Sequence, residues 1–198
     1  MIIGITGVVG SGKSTIVNYI NEICDCLVLD TDSIAKELME PGMVAYDEIV
    51  KTFGYSILTE SDVINRKTLA EIVFNDKGKL ELLNNITHHL VIEEVKNRIK
   101  KSEKKLIVIE SALLFDTPLK DLCDSCWVII TSYEEKKKRL MLNRGYTEEK
   151  VDAMIASQKT NEELSKLADI IIKNDILDDA KQEVEKNLKN FKKNTWQI

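Results

Sequence analysis

The sequence of 198 residues is poor in the residues that mark fibrous, loop-dominated or membrane-spanning chains. Its 8 glycines and 2 prolines exclude a collagen-like or low-complexity chain. No apolar run reaches the roughly 20 residues of a membrane helix, and the N-terminus lacks the basic region of a signal peptide. The net charge of −5 disfavours nucleic acid as a partner. We therefore expect a cytoplasmic protein with no nucleic-acid or membrane partner, whose oligomeric state stays open.

Cysteine is also scarce, and its four copies form two close pairs, Cys24 with Cys26 and Cys123 with Cys126. In a chain that is not secreted, reduced thiols are expected. Because each pair leads into a predicted strand, the thiols are predicted to pack as small hydrophobic groups at strand starts. A zinc site built from both pairs is the alternative.

The sequence does contain a regular alternation of apolar runs with helical patterns. Its 43% hydrophobic and 31% charged residues fit a folded globular chain. The apolar runs are continuous, which is typical of strands buried on both faces of a parallel sheet. These runs are Ile2–Thr6, Leu27–Asp30, Leu106–Glu110, Trp127–Thr131 and Ile170–Ile172. The pattern predicts an α/β fold with a doubly wound, five-stranded parallel sheet.

Helical spacing of apolar residues marks the segments between and after these runs. The spacing predicts a helix with one apolar face after the first run, a long helix before the third run, and a helix at the C-terminal end. The three sets are Ile16, Ile20 and Ile23; Leu80, Leu83, Val91, Val95 and Ile99; and Ala180, Val184, Leu188 and Phe191.

Two segments exceed what a simple crossover between strands requires. Residues 33–104 are predicted to form a helical insertion that binds the acceptor substrate. Residues 136–158 are basic, are interrupted at Gly145, and are predicted to form a short lid. Ser132 with Glu135 matches a capping box before this lid, and Thr147 is the predicted N-cap of its second helix. The nucleotide-binding core then comprises residues 1–32, 105–135 and 159–198.

The first predicted strand leads directly into a glycine-rich segment. Residues 7–14, Gly-Val-Val-Gly-Ser-Gly-Lys-Ser, fit the phosphate-loop pattern G-x-x-x-x-G-K-[ST] completely. Glycines let successive backbone N–H groups turn toward one anion, and the following helix presents its positive end. The pattern predicts that Lys13 reaches the β- and γ-phosphates of ATP and that Ser14 binds Mg²⁺. The residues assigned to ATP are Gly7, Gly10, Ser11, Gly12, Lys13, Ser14 and Thr15.

Two other nucleotide sites fit the sequence less well. A dinucleotide site needs G-x-G-x-x-G, and although Asp30 and Asp32 follow at a suitable distance, the third glycine is missing. A GTPase needs an Asn-Lys-x-Asp element, which residues 172–175 resemble only superficially. We therefore favour a small-molecule kinase. The alternative, from another functional class, is a nucleotide-dependent switch that transfers no phosphoryl group.

Two carboxylates follow predicted strands at the edge where ligands bind in doubly wound sheets. Asp32 follows the second strand and is a candidate for orienting the hydroxyl group that receives the phosphate. Its alternative role, shared with Ser33, is to cap the next helix. Glu110 ends the third strand, where a carboxylate can hold Mg²⁺ through water, or else faces solvent.

The sequence resembles the dephospho-CoA kinase family nearly from end to end. The resemblance rests on Gly4–Ser14, on Leu29–Leu38, on Ile64-Asn65-Arg66, and on Ser111–Asp116; Ser157-Gln158, Ala168-Asp169 and Asn174 match further family positions. It implies ATP-dependent phosphorylation of the ribose 3′-hydroxyl of dephospho-CoA. Asp32 matches the family's proposed catalytic base, and Arg66 and His88 become candidates for the acceptor site. A surface ion pair of Arg66 with Glu71 or Asp62 is the alternative. A kinase for another small hydroxylic acceptor, such as a nucleoside or nucleotide, remains the alternative activity.

The chain departs from the family pattern at its lid arginines. The family usually places two arginines four residues apart, whereas Arg139 and Arg144 are five apart and Asn143 takes the expected place. One residue turns a helical side chain by about 100°. Either the segment near Arg144 is not helical and Arg144 still reaches the phosphates, or Arg139 alone covers the transferring group.

Overall fold

The computed structural model describes residues 1–195, with side chains up to Phe191. Trp196, which the sequence predicts to be an exposed tail residue, lies outside the described residues. The chain forms two compact units. The core unit contains Met1–Val28 and the chain from Glu103 onward, and the helical unit is Leu29–Ser102. No helix within residues 1–195 is long and apolar enough to cross a bilayer.

The core unit is built on the predicted five-stranded parallel sheet, with strand order β2-β3-β1-β4-β5. Its strands are β1 (Ile2–Thr6), β2 (Cys26–Asp30), β3 (Leu106–Glu110), β4 (Ser125–Ile130) and β5 (Ile170–Lys173). β1 pairs in parallel with β3 and β4, and β4 with β5. β1 is therefore the central strand, and the segment that follows it begins in the middle of the sheet edge. The predicted α/β fold class is confirmed.

The helices of the core unit follow the strands as the crossovers of a parallel sheet require. They are α1 (Lys13–Ile23), α6 (Tyr133–Arg144), α7 (Glu148–Ala156), α8 (Asn161–Ser165) and α9 (Leu177–Thr195), with short 3₁₀ turns at Leu114–Asp116 and Pro118–Leu122. The side chain of Thr147 caps α7 as predicted. Ser132 caps α6, but Glu135 does not complete the capping box, because its carboxylate accepts a hydrogen bond from Nε of Arg139 at 3.1 Å.

The core of this unit is apolar and surrounds Trp127, which is fully buried as predicted. Ile16 and Ile20 of α1 pack into it, while Ile23 is 43% exposed, so that the predicted apolar face ends one turn early. α9 contributes the predicted stripe, and the Phe191 ring lies 6.3 Å from that of Trp127. These contacts hold the two helices against the sheet, below the edge that carries the glycine-rich segment.

Cys26 enters the same apolar cluster, and Cys24 packs against it. Cys26 and Cys126 are buried, and Cys24 and Cys123 are half-buried. Burial raises the pKa of Cys26 to about 11 and that of Cys123 to about 12, so that both thiols stay protonated near neutral pH. No group of three or more metal-binding His, Cys, Asp or Glu side chains occurs among residues 1–195.

The helical unit confirms the predicted helical content of the long segment between the second and third strands. Its helices are α2 (Thr31–Leu38), α3 (Val44–Phe53), α4 (Arg66–Phe74) and α5 (Lys77–Lys101), with a 3₁₀ turn at Tyr55–Ile57. α5 is the predicted long helix, and Val91 and Val95 are buried on its inner face. α2, α3 and α4 all pack on α5.

Candidate active site

The glycine-rich segment connects the carboxyl end of β1 to the start of α1, as the phosphate-loop motif requires. Gly12 is the N-cap residue of α1 and has a φ of +85°, and no side chain caps the helix. The first amides of a helix have no intrahelical partner, so this helix start leaves donors for an anion. The ammonium group of Lys13 donates to the carbonyl of Gly7 at 2.9 Å and to that of Val8 at 3.4 Å. Lys13 therefore folds over the loop, where incoming phosphates would meet it.

Two of the loop glycines are required by close neighbours. A Cβ atom on Gly12 would lie 2.3 Å from Nδ2 of Asn174, and one on Gly7 would lie 2.4 Å from the carbonyl oxygen of Ile129. Both distances are shorter than any real carbon contact. The loop therefore packs directly on the end of β4 and on the residue after β5.

Ser14 and Glu110, the two predicted ligands of Mg²⁺, lie together. The Ser14 hydroxyl donates a hydrogen bond to Oε1 of Glu110 at 2.9 Å, and Glu110 is 8% exposed at the end of β3. A hydroxyl and a carboxylate are oxygen donors of the kind that Mg²⁺ prefers, and Mg²⁺ takes its other ligands from phosphates and water. The donor pair fits a magnesium–nucleotide complex.

Arg139 lies against the phosphate loop, and Arg144 does not share its surroundings. Nη2 of Arg139 donates to the carbonyl of Asn174 at 2.7 Å, and Nη1 lies 3.5 Å from that of Ser11. α6 remains helical through Arg144, so five residues turn the Arg144 side chain about 140° away from that of Arg139. Arg144 is exposed, and its side chain has no hydrogen-bond or ion-pair partner within the described residues.

Two titratable groups have shifted pKa values where the start of α6 meets the loop after β5. Hydrogen bonds from Ser132 hold the pKa of Asp175 below its usual range, and the backbone amide of Ser132 lies 2.9 Å from the Asp175 carboxylate. Lys136 is 5% exposed, and its burial lowers the pKa of its ammonium group. The carboxylates of Asp175 and Glu134 raise this pKa and so partly offset the effect of burial. These contacts tie α6 to the loop after β5.

A cavity of about 200 Å³ opens beside the phosphate loop. Gly7 and Val8 form one wall, the segment from Ala112 to Asp116 forms another, and Gln158 closes the third. Oε1 of Gln158 accepts a hydrogen bond from the backbone amide of Val9 at 2.7 Å. The resemblance to the dephospho-CoA kinase family includes Gln158 but gives it no role. The structure places its side chain on the phosphate loop, because the turn after α7 lies against that loop.

In the helical unit, Asp30 and not Asp32 or Ser33 caps α2. The Asp30 carboxylate accepts from the amide of Asp32 at 3.0 Å and from the Ser33 hydroxyl at 2.6 Å. The capping alternative for Asp32 is therefore wrong. The Asp32 carboxylate is exposed in the first turn of α2 and has no hydrogen-bond or ion-pair partner within the described residues.

The two predicted acceptor residues lie on different helices of this unit. Arg66, the first residue of α4, forms an ion pair with Glu40 at 3.0 Å and also donates to the carbonyl of Lys36, so the partners expected from the sequence, Glu71 and Asp62, are wrong. His88 is half-buried on α5 and its neighbour His89 is exposed.

The parallel sheet, with a phosphate loop between its central strand and an uncapped helix, defines a P-loop nucleotide-binding protein. A family model described as dephospho-CoA kinase matches residues 1–179. The chain belongs to the dephospho-CoA kinase family.

Similar proteins cover nearly the whole chain. The dephospho-CoA kinase of Fusobacterium nucleatum is 41% identical over 94% of this chain and 96% of its own length. That of Carboxydothermus hydrogenoformans is 37% identical over 98% of this chain and 96% of its own. The solved dephospho-CoA kinase of Campylobacter jejuni is 29% identical, covers 96% of both chains, and superposes with a TM-score of 0.65.

Proposed function

We propose that this protein transfers the γ-phosphoryl group of ATP to the ribose 3′-hydroxyl of dephospho-CoA, giving coenzyme A and ADP. The observation that carries the proposal is a complete phosphate loop, with Lys13 folded over it, in a chain that matches the dephospho-CoA kinase family over residues 1–179. A cytoplasmic location is part of this proposal, and the match to the dephospho-CoA kinase family supports it.

The reaction forms one bond and breaks one bond. The 3′-oxygen of the acceptor attacks the γ-phosphorus, and the bond from that phosphorus to the oxygen bridging to the β-phosphate breaks. ADP leaves with the bond's electron pair, and the hydroxyl proton passes to a carboxylate or to water. The transition state is loose, so positioning and electrostatic stabilisation contribute more than a strong base.

The loop supplies the positioning of the donor. The amides at the start of α1, including those of Ser14 and Thr15, would bind the phosphates together with the helix dipole. Lys13 would leave the carbonyls of Gly7 and Val8 and pair with the β- and γ-phosphates. Arg139 would leave the carbonyls of Ser11 and Asn174 and extend this positive surface over the transferring group. Arg144 would join it only after a change at the end of α6.

Mg²⁺ is proposed as the cofactor, held by Ser14 and, through water, by Glu110. When bound, the ion neutralises charge on the β- and γ-phosphates. Ser14 and Glu110 then serve to fix the phosphates relative to the loop. Their hydrogen bond in the structure supports this role because it already orients both oxygen donors.

The acceptor is assigned to three residues of the helical unit. Asp32 would orient the 3′-hydroxyl, Arg66 would meet a phosphate of the acceptor, and His88 would line its site. Residues 136–158 would act as a lid that excludes water and prevents hydrolysis of ATP.

The test is a panel of acceptors with ATP labelled in the γ-phosphate. We expect label in the product with dephospho-CoA, and little with adenosine, AMP or no acceptor. Transfer to a nucleoside instead of dephospho-CoA would contradict the acceptor assignment. Slow release of inorganic phosphate with no dependence on any acceptor would indicate a nucleotide-dependent switch.

A further inference from the structure

The carbonyl oxygen of Ser11, in the middle of the phosphate loop, faces three side-chain donors. They are Nδ2 of Asn174 at 2.7 Å, Oγ1 of Thr131 at 3.1 Å and Nη1 of Arg139 at 3.5 Å. Ser11 is fully buried, and Thr131 and Asn174 are each 1% exposed. The carbonyl is therefore fixed on the protein side of the loop.

Fixing this carbonyl also fixes a donor of the loop. A trans peptide group is planar, so the Ser11 carbonyl and the Gly12 N–H point in opposite directions. Gly12 has a φ of +85°, which the loop requires. Because glycine lacks a Cβ atom, it also lets the adjoining peptide rotate more freely than any other residue would. Without a restraint, the Gly12 N–H could turn away from the phosphates.

We propose that Asn174 is a positioning residue for ATP, whose side-chain amide holds the Ser11–Gly12 peptide so that the Gly12 N–H faces the phosphates. The proposal rests on the proposed function for the identity of the ligand. In this proposal Asn174 acts through the loop, because its donor group is bonded to the Ser11 carbonyl.

Of the three donors, Asn174 makes the shortest bond to Ser11. Thr131 has a single hydroxyl proton, and its oxygen lies between the Ser11 carbonyl at 3.1 Å and the Asn174 carbonyl at 3.3 Å. Arg139 makes its shorter bond to Asn174, at 2.7 Å. The backbone of Asn174 is itself anchored, because its amide donates to the carbonyl of Ile130 at 2.8 Å.

The acceptor atom of the Asn174 side chain makes no contact that would explain the residue. Its Oδ1 atom is buried and has no hydrogen-bond partner within the described residues. An unpaired buried carbonyl is unfavourable, and Oδ1 of Asn161 is unpaired in the same way. Asn174 differs from Asn161 in its donor group, which reaches Ser11 and packs against Gly12.

The test replaces the donor with an isosteric acceptor in Asn174→Asp. Its matched control is Asn161→Asp, because Nδ2 of Asn161 donates to the carbonyl of Thr131 at 2.9 Å in the same network without touching the loop. Titration calorimetry would give the Kd of magnesium–ATP without acceptor. Thermal unfolding and the KM values for both substrates would be measured in parallel.

We expect Asn174→Asp to raise the Kd and the KM for ATP by about tenfold to a hundredfold, the range of one lost hydrogen bond to a charged ligand. The KM for dephospho-CoA should change by less than about twofold. Lowering the pH should partly restore ATP binding in this variant, since a protonated carboxyl group regains a donor. Asn161→Asp should lower the melting temperature to a similar extent while leaving the Kd for ATP within about threefold.

Folded Asn174→Asp that binds ATP as the wild type does would overturn the proposal. So would an equal loss of ATP affinity in both variants, which would indicate a structural role only. If Asn174→Asp does not fold, Asn174→Ala carries the same expectations and the same contrary results. ATP binding is measured without acceptor. A wild-type protein that fails to phosphorylate dephospho-CoA would therefore contradict the proposed function without affecting this test.

Discussion

At the scale of single residues, the structure gives Asp30 a role in stability, and we propose a role in the chemistry for Asp32. Asp30 caps α2, while Asp32 lies in the first turn of that helix with an exposed carboxylate that has no partner among the described residues. We therefore propose different tasks for two acids of the same type that lie two residues apart.

Replacing Asp32 by Asn should reduce kcat by at least about a hundredfold, the usual size of the contribution from a positioned acid or base. The melting temperature and the Kd for ATP should stay at their wild-type values. Asp30→Ala is the matched control, and the loss of a cap should cost about 1 kcal/mol of unfolding free energy. A large loss of stability in Asp32→Asn, measured by urea unfolding, would contradict a catalytic role.

Ser14→Ala should raise the Mg²⁺ concentration needed for half-maximal rate by about tenfold or more, since one of the two proposed protein ligands is lost. Ser33→Ala, a serine outside the loop, is the control and should leave this requirement unchanged. The measurement is a magnesium titration of the initial rate at saturating ATP. An unchanged magnesium requirement in Ser14→Ala would argue against this ligand.

Residue types and spacing predict the loop, but not the partners that come from distant parts of the chain. Asn174 lies 163 positions from Ser11, and Arg66 meets Glu40 rather than its neighbours in sequence. Such pairs depend on how helices and strands pack. No local pattern contains that information. The hydrogen bonds to the Ser11 carbonyl and the contact of Gln158 with Val9 therefore emerge only from the structure.

At the scale of helices and strands, the sheet was predictable because its strands are buried on both faces and so appear as continuous apolar runs. α5 was predictable because its apolar spacing persists over several turns, and Thr147 because it precedes two acids at a helix start. The division of the segment from Thr31 to Phe74 into α2, α3 and α4 was not, since each of these helices spans only about two to three turns and its ends depend on caps and on packing against α5.

The contact between the loop after β5 and the start of α6 should give a dependence of stability on pH. The folded-state pKa of Asp175 is lowered, so its contribution is present above the unfolded pKa of about 3.9 and is lost as the pH falls through the folded value. Wild type should exceed Asp175→Asn in unfolding free energy at pH 7 by less than about 1 kcal/mol, because the carboxylate is exposed. Urea unfolding should show this difference shrinking toward pH 3; a difference that grows would contradict the assignment.

At the scale of the whole molecule, a ligand that binds only the folded protein must raise its melting temperature. Magnesium–ATP at 100 times its Kd should stabilise the fold by about 2.7 kcal/mol, or roughly 5 to 10 °C for a chain of this size. Lys13→Met should lose most of this shift at the same ATP concentration while melting without ligand near the wild-type temperature. Differential scanning calorimetry would show it, and an equal shift in both proteins would place ATP elsewhere.

The central claim is that the loop directs the γ-phosphate of ATP to one hydroxyl group. Its most direct test is a ³¹P–¹H correlation NMR spectrum of the product formed from ATP and dephospho-CoA. We predict a new phosphomonoester coupled to the proton on the ribose 3′-carbon, in amounts equal to the ADP released. A phosphoryl group on another carbon, or inorganic phosphate as the sole new phosphorus product, would contradict it.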